Sequence, residues 1–178
     1  NWQVLFRRGD ALQRLADVAV VAVDKTGTLT EGRPEVTDSV YADGASEQQV
    51  LANVAAVEQT SEHPLARALV RAADVAGMDL PEAIDFKVEV GRGASAQVNG
   101  QEVRVGSGAF MQENGLSVAQ FDAQVKAWAS QGKTPVYASI EGEVCAVFAI
   151  ADPIRLSAPS AVRALHAQGL RVVMISGD

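Results

Sequence analysis

Residues 18–32 read VAVVAVDKTGTLTEG, and the reading of this stretch decides the fold. Six apolar residues, Val18 to Val23, run without alternation straight into Asp24, Lys25, Thr26, Gly27 and Thr28. A continuous apolar run suits a strand covered on both faces, as in a parallel α/β sheet. Residues 170–176, LRVVMIS, have the same character and close on Ser176. The segment before them, SAPSAVRALHAQG (157–169), predicts a helix with Ser157 as N-cap, Pro159 in the first turn and Gly169 as the stop. A helix followed by an apolar strand is half of a right-handed crossover unit, and ligands of such sheets bind beyond the carboxyl ends of the strands. Asp24 and Ser176 stand at those ends.

The middle of the chain has a different grammar. SEQQVLANVAAVEQ (46–59) predicts a helix opened by a capping box of Ser46 and Gln49. HPLARALVRAADVAG (63–77) predicts a second, with Pro64 in its first turn and Gly77 ending it. SAQVNGQEVRVG (95–106) is a hairpin on the Asn99-Gly100 turn. SVAQFDAQVKAWASQG (117–132) predicts a helix from Ser117, with Gln120 completing a capping box. PVYASIEGEVCAVFAIAD (135–152) gives two strands around Glu141-Gly142. The expected fold is therefore α/β: a partial parallel sheet with an inserted α+β domain of antiparallel strands and helices. The expected division is 1–33, 34–148 and 149–178, with hinges near Arg33-Pro34 and Ala151-Asp152.

Composition narrows the partners. The 178 residues are 48% hydrophobic and 21% charged, with a formal net charge of −7. That balance argues against nucleic acid or an anionic membrane surface as a partner, and leaves a nucleotide open, since a nucleotide needs only a local group of donors. Cys145 is the single cysteine, so no disulfide framework or Cys-x-x-Cys metal site exists, and VCAVFAI reads it as a small buried hydrophobe. No run reaches the ~18 apolar residues of a membrane span and no secretory signal is visible. The expectation is a soluble piece of a longer protein, since the chain opens on NWQVLFRRG and closes just after a strand-like run.

An aspartate at a strand end can be an N-cap, a metal ligand or a nucleophile. As a nucleophile its carboxylate attacks phosphorus and forms an aspartyl phosphate. The surroundings must then neutralise the transferring phosphoryl group and hold Mg²⁺. Lys25, the Thr26 and Thr28 hydroxyls, the amides around Gly27 and the Ser176 hydroxyl are the right donor types. Two other glycine patterns fail as phosphate sites. QGKTP (131–135) carries the Gly-Lys-Thr of a P-loop, but Ala127 stands where that loop needs a glycine, and a strand follows instead of a helix. GRGASA (91–96) fits a dinucleotide fingerprint, but a hairpin follows it. Gly91 and Gly93 either let a ligand approach the backbone or permit a bend, and the residues alone leave both open. His63, just before Pro64, reads by itself as a cap or surface residue.

DKTGTLT (24–30) resembles the phosphorylation motif of P-type ATPases, within the haloacid dehalogenase superfamily. The resemblance implies that Asp24 accepts the phosphoryl group, with Lys25, Thr26 and Ser176 assisting and Asp24 and Thr26 helping to hold Mg²⁺. Phosphatases of that superfamily carry Asp-x-Asp, whose second carboxylate hastens hydrolysis of the phosphoenzyme. Here Thr26 takes that place and cannot act as a general base near neutral pH, which favours a pump over a phosphatase. EQTSEHPLA (58–66) followed by GRG (91–93) resembles the nucleotide-binding domain of heavy-metal-translocating P-type ATPases. That resemblance puts the adenine site on Glu58, His63, Gly91 and Gly93, with Glu62 adjacent and Ser107 where the family often has asparagine. DPIR (152–155) and SGD (176–178) resemble the family's return into the phosphorylation domain.

What the resemblance implies is the cytoplasmic ATP-binding and phosphorylation region of an integral membrane pump. Its substrate partners would be ATP with Mg²⁺ and a heavy-metal ion, copper(I) before zinc or cadmium. The metal would bind in transmembrane helices absent from this chain, and the membrane and actuator domains of the parent would be the protein partners. The family's lysine and Gly-Asp-Gly segment lie beyond Asp178, so little stable phosphorylation of this piece is expected. The rival readings are a haloacid-dehalogenase-type phosphatase with a cap domain and a non-catalytic nucleotide-binding module.

Overall fold

A computed structural model describes residues 17–175. Among them the chain forms eight strands and five α-helices, divided between two compact units. One unit holds the described residues up to Gly32 and from Pro153 onward; the other is Arg33–Asp152.

In the first unit, β1 (Val20–Asp24) and β8 (Arg171–Ile175) pair in parallel, with Asp24 opposite Ile175. The crossover helix α5 (Ala158–Ala167) precedes β8, and Gly169 ends it at φ +79°. Two expectations need correction here. Ser157 takes the N-cap position but its hydroxyl makes no capping bond. The apolar run of β1 alternates between exposed and half-exposed, and Val20, Val173 and Ile175 are all exposed. A two-stranded sheet has an edge on each side, and α5 is its main covering element among the described residues, so full burial on both faces is not reached.

The second unit is an antiparallel sheet in the order β2-β7-β6-β5-β4-β3 with helices on both faces. Its strands are β2 (Glu35–Tyr41), β3 (Ala83–Glu89), β4 (Gly93–Val98), β5 (Gln101–Gly106), β6 (Thr134–Ile140) and β7 (Glu143–Ala151). Both predicted two-residue turns form: Asn99 and Gly100 at φ +53° and +76°, Glu141 and Gly142 at +50° and +82°. Positive φ at both central residues is the hairpin geometry that matches strand twist.

Helices α1 (Glu47–Glu58) and α2 (Pro64–Val75) cover one face. Ser46 accepts the Gln49 N–H as predicted, and alanines 66, 68 and 73 let α2 lie close. Val54, Val57, Leu69, Val103, Val105 and Phe148 fill the core beneath them. The opposite face carries α3 (Gly108–Glu113) and α4 (Asp122–Ala129), packed through Phe110, Met111, Phe121 and Trp128 on Tyr137 and Val147. Strand β7 feeds both layers by alternation, Phe148 to one and Val147 to the other.

The helix predicted from Ser117 begins later. A short 3₁₀ turn (Ala119–Phe121) precedes α4, and the Gln120 amide donates to Val144 O at 2.7 Å instead of closing a capping box. Cys145 is half-buried rather than buried, and desolvation pushes its thiol up to about 11, which leaves it unreactive.

Candidate functional site

The turn after β1 is built to present a carboxylate. Asp24 is extended (φ −67°, ψ 139°), and the following segment, Lys25–Leu29, is irregular, with Thr26 extended and Gly27 left-handed at φ 76°. Thr30, which is buried, locks the turn: its N–H and its hydroxyl both donate to Lys25 O at 3.0 Å, and its hydroxyl accepts from the Gly27 N–H at 3.1 Å. The DPIR segment closes it from the side. Arg155 donates to the carbonyls of Gly27 at 3.1 Å and Glu31 at 3.4 Å, its N–H bonds Leu29 O, and the Glu31 N–H bonds Pro153 O. These bonds hold the turn without the Asp24 side chain, which makes no capping bond and stays exposed with Thr26 and Thr28. Sequence reading singled out neither Thr30 nor Arg155 as a positioning residue.

An exposed carboxylate next to hydroxyls suits a hard cation such as Mg²⁺ in donor type. No group of three or more His, Cys, Asp or Glu side chains converges there among the described residues. Ser176 lies outside the described residues; its neighbour Ile175 is the register partner of Asp24.

The second site lies wholly within Arg33–Asp152. A cavity of about 330 Å³, within the range of small-molecule sites, opens between the helix pair and the ends of β3, β4, β5 and β6. Glu58, His63, Gly91, Gly93 and Ser107 all line it. Leu65, Val88 and Pro135 supply apolar wall, and Ser61, Arg92 and Thr134 further polar groups that sequence reading missed. Glu62 is exposed and does not line this cavity; it borders an adjoining depression with Gln59, Thr60 and Arg67. The Gly-Lys-Thr decoy has a structural use: Lys133 pairs with Asp38 at 2.6 Å and, chiefly through that hydrogen bond, holds its carboxyl below the ordinary value.

His63 proves to be both cap and wall. Its Nδ1 accepts the Leu65 N–H at 3.2 Å and so starts α2, with Pro64 at the first position. A nitrogen that accepts cannot carry the hydrogen, so Nε2 carries it in the neutral ring. Ser61 ties the approach, its Oγ accepting the His63 N–H at 3.3 Å. Ser107 is likewise occupied, its Oγ accepting the Phe110 N–H at 3.1 Å while its own N–H donates to Arg92 O.

Glycine is demanded at 93 by the protein itself. A Cβ there would lie 2.5 Å from Val105 O and 2.6 Å from the Phe110 ring. Its register partner Gly106 is equally closed, with Arg92 O at 2.5 Å and the same ring at 2.7 Å. The two glycines form a flat seat for Phe110. Gly91 differs: φ is +74° and its Cβ direction is open.

Glu58 ends α1 with 8% of its surface exposed. Burial pushes its carboxyl from 4.5 up to about 7, against a smaller opposing effect of the Ser61 hydrogen bond. The folded state therefore binds a proton more readily than the unfolded chain between these values. Stability from this group is fully present below pH 4.5 and is lost as pH rises towards 7. The difference corresponds to roughly 3 kcal/mol. Glu58→Gln is expected to remove that slope and to raise the denaturation midpoint at pH 8, measured by urea unfolding at pH 5 and pH 8. Equal stabilities of the unsubstituted chain at the two pH values would contradict this assignment.

Comparison with known proteins places the chain in a family. The sequence family described as haloacid dehalogenase-like hydrolase matches residues 18–178, and the chain belongs to it. Copper-transporting ATPase 2 of Rhizobium meliloti (strain 1021) is 46% identical over 175 residues, 98% of this chain and 21% of that protein. The silver exporting P-type ATPase of Salmonella typhimurium is 38% identical over the same share of this chain, again covering 21% of its own length. The chain thus spans about a fifth of the curated relatives it matches. A zinc-transporting PIB-type ATPase solved in its E2.Pi state superposes with a TM-score of 0.85 at 39% identity, covering 96% of this chain and 27% of that one. The N-domain of HMA8, a copper-transporting P-type ATPase, aligns with 66% of this chain and 99% of its own length, at 30% identity and a TM-score of 0.56. The chain is homologous to the cytoplasmic catalytic region of heavy-metal P-type ATPases.

Proposed function

We propose that the chain binds ATP in the cavity of the Arg33–Asp152 unit and that, in the full-length pump, Asp24 accepts the γ-phosphoryl group. The observation that carries the reading is the convergence of Glu58, His63, Gly91 and Gly93, spread over some thirty-five residues of sequence, on one cavity. The apolar wall of Leu65, Val88 and Pro135 suits a purine face. Glu58 suits its edge: as a carboxylate it accepts from an exocyclic amine, and as an acid it donates to a ring nitrogen. The Nε2–H of His63 is a further donor.

In the transfer step a carboxylate oxygen of Asp24 attacks the γ-phosphorus, the bond to the bridging oxygen breaks, and ADP leaves with that oxygen's electron pair. Mg²⁺, when bound, neutralises charge on the phosphates, with Asp24 and Thr26 holding it from this chain. Lys25 adds a cation beside the nucleophile. Thr26 offers no second carboxylate to activate water, so the acyl phosphate persists long enough to be coupled to a conformational change. In the parent protein that change moves a heavy-metal ion across the membrane. Copper(I) is the favoured cargo, supported by the names of the most similar curated relatives, and the region sits on the cytoplasmic side.

Titration of the chain with ATP, followed by amide chemical shifts, tests the binding step. Shifts are expected at Glu58, His63, Gly91 and Gly93. Shifts scattered elsewhere, with those four unmoved, would remove the cavity from consideration.

A further inference from the structure

We propose that Arg92 is the anion-recognition residue of the nucleotide cavity, exchanging its Glu113 partner for the phosphate chain of the ligand. The inference rests on the nucleotide reading above and adds what that reading leaves without an explanation, namely what holds the phosphates. Among the described residues that line the cavity, Arg92 alone carries a permanent positive charge, whereas Glu58 and Glu89 line it with acidic groups. The whole chain is acidic, at −7. A polyanion entering this cavity therefore depends on one cation for favourable electrostatics.

The local build separates a fixed main chain from an exchangeable side chain. The Arg92 N–H donates to Glu89 O and its carbonyl accepts the Ser107 N–H, each at 2.9 Å, so the backbone is pinned on both sides. The guanidinium instead reaches Glu113, with Nη1 at 2.5 Å from Oε2. The two side chains keep 56% and 50% of their surface in solvent. An ion pair this exposed is screened and weak, so giving it up costs little. A guanidinium matches phosphate oxygens through two parallel donors and gains more from that partner. Glu113, at the end of α3 and outside the cavity lining, is the partner that the guanidinium gives up for the phosphate chain.

The experiment compares adenosine, ADP and ATP binding to the 178-residue chain and to three variants at two salt concentrations. In the unsubstituted chain ATP should bind more tightly than adenosine, with a gap that narrows as salt rises. Arg92→Ala should lose about tenfold or more in ATP affinity while adenosine affinity stays unchanged. Arg92→Lys should recover part of the loss, since it restores charge without the planar fork. Glu113→Gln should tighten ATP by about twofold to fivefold and leave adenosine alone. Unchanged ATP affinity in Arg92→Ala overturns the proposal. So does an equal loss for adenosine and ATP, which marks a structural role for the side chain. If the unsubstituted chain binds neither adenosine nor ATP, the nucleotide reading itself fails and takes this inference with it.

Discussion

Asp24→Asn, introduced into a full-length ATPase carrying this region, is expected to abolish acid-stable labelling from γ-labelled ATP. It should also lower metal-stimulated turnover by about 10³-fold or more, the scale on which loss of a nucleophile acts. An amide presents neither the charge nor the basicity to displace ADP from phosphorus, and Thr26 at the second position offers no carboxylate to take over. The structure also separates this loss from unfolding. The Asp24 side chain makes no capping bond, and the turn is held by Thr30 and Arg155. Asparagine therefore leaves the turn intact, and ATP binding in the separate cavity should stay at its unsubstituted value. Persistent labelling in Asp24→Asn would transfer the acceptor role to another residue. Loss of ATP binding together with labelling would show a folding defect instead.

How far the sequence carries such an argument depends on whether a feature is local. The turns at Asn99-Gly100 and Glu141-Gly142, the Ser46 cap and the stops at Gly77 and Gly169 are decided by residues within a few positions, and all form as read. DKTGTLT is legible for the same reason, because one short segment holds its whole pattern. What the residues did not reveal is what distant parts of the chain do to one another. The Arg155 clamp on Gly27 spans 128 positions. Strand β2 completes the sheet against β7, more than 100 residues on, and no pattern within either strand announces the pairing. The Ser117 capping box failed because Gln120 found a better acceptor in Val144 O, on a strand twenty-four residues away. Burial of β1 was read from apolar content alone, but burial also depends on how many neighbours the strand has.

The glycine pair extends that lesson into a quantitative expectation. The residues alone leave Gly93 divided between admitting a ligand and permitting a bend, and Gly93 does line the cavity. The direction a side chain would take at 93 is nevertheless filled by Val105 O and the Phe110 ring, one a main-chain atom inside a ladder and the other a ring 2% exposed. Neither can withdraw without opening the β4–β5 pairing or the core under α3. Gly93→Val is therefore expected to cost about 3 kcal/mol or more, at the upper end of overpacking, which lowers the melting temperature by roughly 10 °C. ATP affinity should fall with it, because Gly93 and the adjoining Arg92 share the cavity wall. Gly91→Ala supplies the contrast. Its Cβ meets open space, so only the positive φ opposes it, at about 1–2 kcal/mol. If position 93 served ligand approach rather than packing, the order would reverse: Gly93→Val would melt like the unsubstituted chain and lose only ATP. Thermal unfolding of both variants, each with and without saturating ATP, decides between the two accounts. The packing account requires the Gly93 variant to be destabilised before any nucleotide is added.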